Sequence, residues 1–407
     1  MSETLKTDDA QLARSLLSSA AVRERAHELL AVAETGGLAE WRVDESRLAE
    51  AADLTAQVVR DNYADLKVPF HARWRHFVVA GRDLWAEQVD VQPLAAHPFA
   101  DQDEAARAAF ELVIPSVLLD AGAGAAWRYH DATTDAVLAR SEGLGVASLR
   151  MFQSGSFSSD PTRPLQADAL ARVDAAMLAK AFQVTDENPL VGLEGRAALV
   201  RKLGEVVGRP GRLYDLMKAR VEDGRLPAPV ILEVLLTELG GIWPSRIALG
   251  GVPLGDCWRH PALKRADATD GLVPIHKLSQ WLAYSLIEPL QAAGVEVVEI
   301  DGLTGLAEYR NGGLFVDAGV LVLKDPADAG RAHPVDEPLV VGWRALTVSL
   351  LDRLAPLVRE RLGVTAEDFP LARVLEGGSW AAGRRLAREL RPDASPPIAV
   401  ISDGTVF

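Results

Sequence analysis

The chain has 407 residues, 48% of them hydrophobic and 25% charged, with a net charge of -14 at pH 7. This is a globular composition with enough length for a large core, and its acidity disfavours nucleic acid or an anionic membrane as a partner. A single cysteine, Cys257, excludes an internal disulfide and a cysteine-based zinc cluster, which points to a reducing, cytoplasmic setting.

No secretory apolar region opens the sequence, and no run of about eighteen apolar residues occurs in it. Leu12, Leu16 and Leu17, then Val22, Ala26, Leu29 and Leu30, recur at helical spacing, so residues 10–59 read as helices. After Pro69 comes a polar-aromatic segment containing His71, Arg73, Trp74, Arg75 and His76. Residues 103–119 return to a helical period, with Pro115 expected to kink or end the helix. The stretch 152–164 is rich in Ser, Gly and Pro and reads as a loop. It is the expected boundary between an N-terminal helical subdomain (1–160) and an α+β subdomain (161–407), unless the two form one continuous domain. Helical patterns follow at 165–182, 194–207, 228–239 and 275–288, the last ended by Pro289. Strand patterns come late, at 295–300, 319–324 and 397–401, and a further helix covers 339–362. The prediction is a mainly α fold, α+β with a minor β component in the second half. Without βαβ alternation a doubly wound sheet is disfavoured.

Polar, aromatic and glycine-rich content concentrates between residues 243 and 317, and again at Trp343-Arg344 and Gly377-Gly378-Ser379-Trp380. Such residues are costly to bury unpaired, so their clusters line a site or build a buried network. On a helix over 276–288, Leu278, Leu282 and Leu286 form an apolar stripe. Lys277, Gln280, Trp281, Tyr284 and Glu288 share the opposite face, which is either a pocket wall or a solvated surface. Glu308 stands beside Arg310 and Asn311 in a glycine-punctuated stretch. It is either a carboxylate suited to C–N glycoside hydrolysis or half of a structural pair with Arg310. His71, Arg73 and Arg75 are candidate phosphate or ribose contacts, or members of a buried structural network.

Other chemistries find little support. His71 and His76 fall on different helical faces and no H-x-x-x-H pair occurs, so no metal is expected. No Walker A segment or dinucleotide fingerprint opens a helix, so no cofactor is expected either. Ser154-Gly155-Ser156 lacks the nucleophile-elbow pattern, and Cys257 reads as a buried, inert thiol rather than a nucleophile.

Several long segments carry a resemblance. FHARWRHF, IWPSRIALGGVPLGDCW, PIHKLSQWLAYSLIEPL, LTGLAEYRNGGLFVDAGVL, WRALTVSLLD, GGSWAAGR and the terminal SDGTVF resemble the uracil-catabolism family found in fungi and bacteria. The resemblance spans nearly the whole chain. It implies a place in a route that degrades uracil through a ribosylated, ring-opened intermediate, alongside a GTP-cyclohydrolase-II-like enzyme. That family carries Glu just before the W-R-A run, where this chain has Gly342; Glu337 is the candidate to supply the missing carboxylate. A second likeness is mechanistic. The order K-x-x-Q, then L-T-x-x-A-[DE]-Y-R, then an R-A segment is similar to the queuosine-nucleotide N-glycosylase family. This implies a helical, DNA-glycosylase-like core and a site built from Lys277, Gln280, Glu308, Tyr309, Arg310 and Arg344. Glu308 stands where that family has Asp, and Ser285 where it has a second Asp, so a second carboxylate would come from Glu288 or elsewhere.

The expected activity is metal-independent hydrolysis of the C1′–N bond of a small ribosyl or 5-phosphoribosyl substrate, a ureide or pyrimidine nucleotide. Glu308 is the expected catalytic carboxylate, and His276 and Tyr309 are candidate proton donors. Trp281 and Tyr284 would stack on the planar fragment, and His71, Arg73, Arg75 or Lys277 would hold phosphate. Gln280, Ser285, Arg310, Trp343 and Arg344 complete the predicted wall. The alternatives are an amidohydrolase cutting the ureide itself and a non-catalytic nucleotide sensor or assembly partner. A homo-oligomer is compatible with each.

Overall fold

The structure, a computed structural model, describes residues 2–89, 98–120, 122–243 and 246–401. The terminal SDGTVF segment and the Pro-Ser step at 244–245 lie outside the described residues. The chain packs as two compact units, each discontinuous in sequence. The first comprises Met1–His71, Pro244–Gln280 and Glu299–Asp403; the second comprises Ala72–Trp243, Trp281–Val298 and Gly404–Phe407. The 152–164 stretch is internal to the second unit.

The first unit is organised around the helix Pro338–Leu362, whose apolar residues are buried along most of its length. Proline suits its first turn, where the missing N–H has no intrahelical partner, and Gly363 closes it in the left-handed region. Helices Ser19–Glu34 and Leu48–Asn62 pack against it. Helix Tyr309–Asp317 packs on helix Trp380–Leu390. At Gly383 an added Cβ would lie 2.0 Å from the Arg310 carbonyl oxygen, so only glycine permits that approach.

The second unit has its core around helix Gln102–Leu118, packed on Arg140–Gln153 and Leu193–Val207. Asp101 starts the first of these by accepting from the Glu104 N–H at 2.8 Å. The mainly α class agrees with the sequence reading. Strands do not wait for the second half, however. They form only two-stranded ladders among the described residues, and Trp41–Val43 already pairs antiparallel with Leu321–Leu323. The hairpins Val78–Val79 with Arg82–Asp83 and Tyr129–Asp131 with Ala136–Leu138 also lie early. Strands of two or three residues are too short to print a period of two in the sequence.

Two prolines lie inside helices, and the second departs from expectation. Pro115 lies inside Gln102–Leu118, and the ladder resumes with the Leu119 N–H donating to the Pro115 carbonyl at 2.9 Å. Pro289 lies inside Lys277–Ala292 rather than ending it. A helical proline leaves the carbonyl four residues earlier without its partner. For Pro289 that carbonyl belongs to Ser285, and the Trp74 indole N–H donates to it at 2.8 Å. The polar-aromatic segment after Pro69 thus satisfies the break that Pro289 makes.

Glu111 yields a stability prediction. Its side chain is fully buried and accepts from the Ala167 N–H at 2.6 Å and from the Arg209 guanidinium. Burial nevertheless raises its pKa to about 7. Because the folded value lies above the unfolded one, the stability tied to this group is present below about pH 4.3 and is lost as pH rises through 7. Replacing Glu111 with Gln removes the charge, so the melting temperature of the variant relative to wild type should rise between pH 5 and pH 8. Scanning calorimetry across that range checks it, and a constant difference would refute it.

Candidate active site around Glu308

The predicted site residues divide between the units. His71, His276, Lys277, Gln280, Glu308, Tyr309, Arg310, Trp343 and Arg344 belong to the first; Arg73, Arg75, Trp281, Tyr284 and Ser285 belong to the second.

Glu308 is buried and precedes helix Tyr309–Asp317, where its carboxylate takes the N-cap position. One oxygen accepts from the Arg310 N–H at 2.8 Å, and the other accepts from the Asn311 N–H. The first turn of a helix has orphan donors and a partial positive charge, so a carboxylate is well placed there. The Arg310 side chain is not its partner. That guanidinium lies over the Tyr309 ring, 4.9 Å from its centroid, and donates to the Ala394 carbonyl at 2.9 Å. Burial raises the Glu308 pKa; the two backbone N–H groups and the charges of Lys277 and His71 oppose the rise without cancelling it. The result is an immobilised buried carboxylate of enhanced basicity.

The surrounding groups are held by a connected hydrogen-bond network. Asn311 donates to the Leu306 carbonyl at 3.1 Å and accepts from the Ser379 hydroxyl at 2.8 Å. Gln280 donates to the Thr304 hydroxyl at 2.7 Å and accepts from the Thr304 N–H at 3.3 Å, tying the start of helix Lys277–Ala292 to the strand-like run before Glu308. The Trp343 indole donates to the Gly312 carbonyl at 3.1 Å, and a Cβ on Gly312 would meet that indole at 2.8 Å. His71 approaches Glu376 with Nδ1 to Oε2 at 2.7 Å.

Arg344 and Asp256 form a buried bidentate pair, both contacts at 2.8 Å. Asp256 accepts further from the Trp258 indole at 2.6 Å and from the Lys277 N–H at 2.9 Å. Its backbone carbonyl accepts from the N–H groups of Ile275 and His276. Burial alone would raise the Asp256 pKa, but the Arg344 charge and these hydrogen bonds hold it well below the usual carboxylate range. Asp256 therefore anchors the helix that carries Lys277 and Gln280. His276 sits just before that helix with φ 49, a left-handed conformation that costs a non-glycine residue about 1 kcal/mol or more and that the surrounding bonds must hold. Its Nε2 lies 3.0 Å from the Leu16 carbonyl, which it can only approach as a donor. Burial lowers its pKa, so the ring is neutral at pH 7. Cys257 next door is buried, and desolvation with the Asp256 charge pushes its thiol pKa up, away from nucleophilic use.

In the second unit the same sequence motifs build a polar core. Arg73 is fully buried, with Nε donating to the Ser116 hydroxyl at 2.7 Å and Nη1 3.2 Å from the Asp120 carboxylate. Its N–H donates to the Ser285 hydroxyl at 2.9 Å, and its guanidinium lies 5.7 Å from the Trp281 ring centroid. Trp281 meets the His76 ring edge-on at 5.8 Å, and Tyr284 is wholly buried. Arg75 pairs with Glu288 at 2.6 and 2.7 Å. From Leu278 to Ile287 every residue of helix Lys277–Ala292 is buried, so neither face of it is a solvated surface.

The sequence reading missed Asp256, Thr304 and Glu376. Glu376 immediately precedes the glycine pair that had been noted, and Asp256 precedes Cys257 within a noted segment. At Gly342 an added Cβ would lie 3.3 Å from His260 Nε2. The carboxylate found there is Glu40, 3.7 Å from that nitrogen, whereas Glu337 pairs with Arg331 and His333. Among the described residues no three His, Cys, Asp or Glu side chains are grouped as metal ligands would be, and no helix is long and apolar enough to cross a membrane.

Comparison with known proteins places this arrangement. A family profile described as "Protein of unknown function (DUF1688)" matches residues 15–407. The chain belongs to that family. Protein urg3 of Schizosaccharomyces pombe is 41% identical over 406 residues, covering 96% of this chain and 98% of the relative. Uracil catabolism protein 4 of Lachancea kluyveri is 36% identical over 411 residues, covering 90% and 92% respectively. Family members are thus similar over nearly their full length, and the Glu308 network spans segments from residue 71 to residue 379 within the matched region.

Proposed function

We propose that this chain acts in uracil catabolism as an N-glycosidase, hydrolysing the C1′–N bond of a ribosyl ureide or pyrimidine nucleotide, with a 5-phosphoribosyl ureide favoured. The observation that carries the reading is Glu308. It is a buried carboxylate, clamped through both oxygens by backbone N–H groups at a helix N-terminus, with Lys277 and His71 acting on it. C–N cleavage at a ribosyl centre develops positive charge at C1′ and needs a water aimed at that carbon. A fixed carboxylate of raised basicity can stabilise the charge and take the water proton. Each oxygen retains a lone pair beyond the one its N–H uses.

Lys277 is the cation of this unit suited to a phosphate or ribose contact, as a point charge on a helix start anchored by Asp256. Arg73 and Arg75 are assigned structural roles instead, since Asp120 and Glu288 neutralise them. His276 is not assigned proton donation, because it is neutral and committed to the Leu16 carbonyl. The name of the Lachancea relative supports the metabolic context.

The test is incubation of the purified protein with UMP, uridine, and ribosylurea with and without a 5-phosphate, read by mass spectrometry. Free ribose or ribose 5-phosphate is the expected product. Ammonia release with the ribosyl bond intact would support amide hydrolysis instead.

A further inference from the structure

We propose that His71 is the proton donor to the departing nitrogen and that Glu376 is its positioning residue; this rests on the glycosidase reading above. His71 Nδ1 and Glu376 Oε2 are 2.7 Å apart, so the carboxylate fixes the ring orientation. The two side chains are 12% and 18% exposed, so the dyad can exchange protons with solvent. The His71 charge is among those that act on Glu308.

The backbone adds an independent argument. Glu376 lies on a π-helical turn, Leu375–Ser379, a rare geometry often found where function imposes it. The same turn carries Ser379, whose hydroxyl donates to Asn311, and the Asn311 N–H holds Glu308. One irregular turn therefore positions both members of an acid and base pair. Its glycines are required by packing: a Cβ on Gly378 would lie 2.6 Å from Thr55, and one on Gly377 would lie 2.9 Å from Val68. This gives the Gly377-Gly378-Ser379 motif a purpose.

In the step, protonated His71 gives its Nε2 proton to the leaving nitrogen as the C1′–N bond breaks and its electron pair passes to that nitrogen. Water adds to C1′ and passes its proton to Glu308. Solvent returns that proton from Glu308 to His71, which closes the cycle with one water consumed.

A donor matters only when the leaving group needs a proton. The experiment compares ribosylurea 5-phosphate with a 4-nitrophenyl riboside 5-phosphate, whose phenolate departs unassisted, in wild type, His71→Asn and Glu376→Gln. His71→Asn should lose about 10²-fold or more in kcat on the ureide, the usual worth of a general acid, and keep most activity on the nitrophenyl riboside. Glu376→Gln should lower kcat on the ureide with KM little changed and keep most activity on the nitrophenyl riboside, since the loss of ring positioning matters only where a proton must be delivered. Equal losses on the two substrates, or a Glu376→Gln effect confined to KM, would overturn the dyad while leaving the glycosidase standing. Failure of wild type to cleave either riboside would overturn the glycosidase reading and the dyad with it.

Discussion

Replacing Glu308 with Gln is expected to lower kcat on the accepted substrate by about 10³-fold while leaving the fold intact, the range found when a positioned acid–base or charge-stabilising group is lost. The change keeps the shape and one acceptor oxygen but removes the charge that the proposed mechanism uses at C1′. Its effect on stability has a sign that can be worked out. The folded Glu308 pKa is raised, chiefly by burial, so the ionised form destabilises the native state. Stability tied to the group is present below the ordinary glutamate value of about 4.3 and is lost as pH rises through the raised folded value. Gln removes that loss but caps less well, because one oxygen becomes an NH2 facing an N–H, a deficit of about 1 kcal/mol. The melting temperature of the variant relative to wild type should therefore improve as pH rises from about 4 to 8. Thermal unfolding at several pH values checks this alongside the kinetics. A residue kept at a cost to stability and indispensable to turnover is behaving as a functional group rather than as a cap.

The largest loss of stability is expected at Asp256. Its replacement by Asn removes the bidentate counter-charge from the buried Arg344 guanidinium and weakens the contacts to Trp258 and the Lys277 N–H. Breaking such a buried pair costs about 3–5 kcal/mol, which urea unfolding would register as a lower midpoint at unchanged slope. Removing both charges at once, with Asp256→Leu and Arg344→Met, should cost less than the single change predicts, since no orphan charge remains. The folded Asp256 pKa is depressed, so the wild-type contribution is present above the unfolded aspartate value of about 3.9 and is lost as pH falls below it. Lys277 should also lose its fixed position in the single variant, visible as a raised KM for a phosphorylated substrate.

Much of the helical framework was legible because its apolar positions repeat every three to four residues over long spans, as in Ser19–Glu34 and Pro338–Leu362. One proline misled for a specific reason. Pro289 breaks one hydrogen bond, but Trp74, distant in sequence, satisfies the freed Ser285 carbonyl, and that repair is tertiary. The candidate site was half legible. Glu308 stood out as a carboxylate in a glycine-punctuated stretch, yet its partners proved to be backbone N–H groups rather than the Arg310 side chain. Glu376 and His71 are 305 positions apart, and Asp256 and Arg344 are 88 apart, so no local pattern could join them. The aromatic face of the 276–288 segment read as either a pocket wall or a solvated surface; it is buried, and Trp281 and Ser285 contact the buried Arg73. Aromatic and polar residues together mark a buried polar network as readily as a ligand site.

The most direct test of the central claim is turnover of ribosylurea 5-phosphate in ¹⁸O-water by wild type and Glu308→Gln, with products weighed by mass spectrometry. Cleavage at C1′ places the label on ribose 5-phosphate and leaves urea unlabelled, and Glu308→Gln should abolish it. Label in carbon dioxide or a carbamate, with the ribosyl bond intact, would contradict the account, as would turnover that Glu308→Gln leaves unchanged.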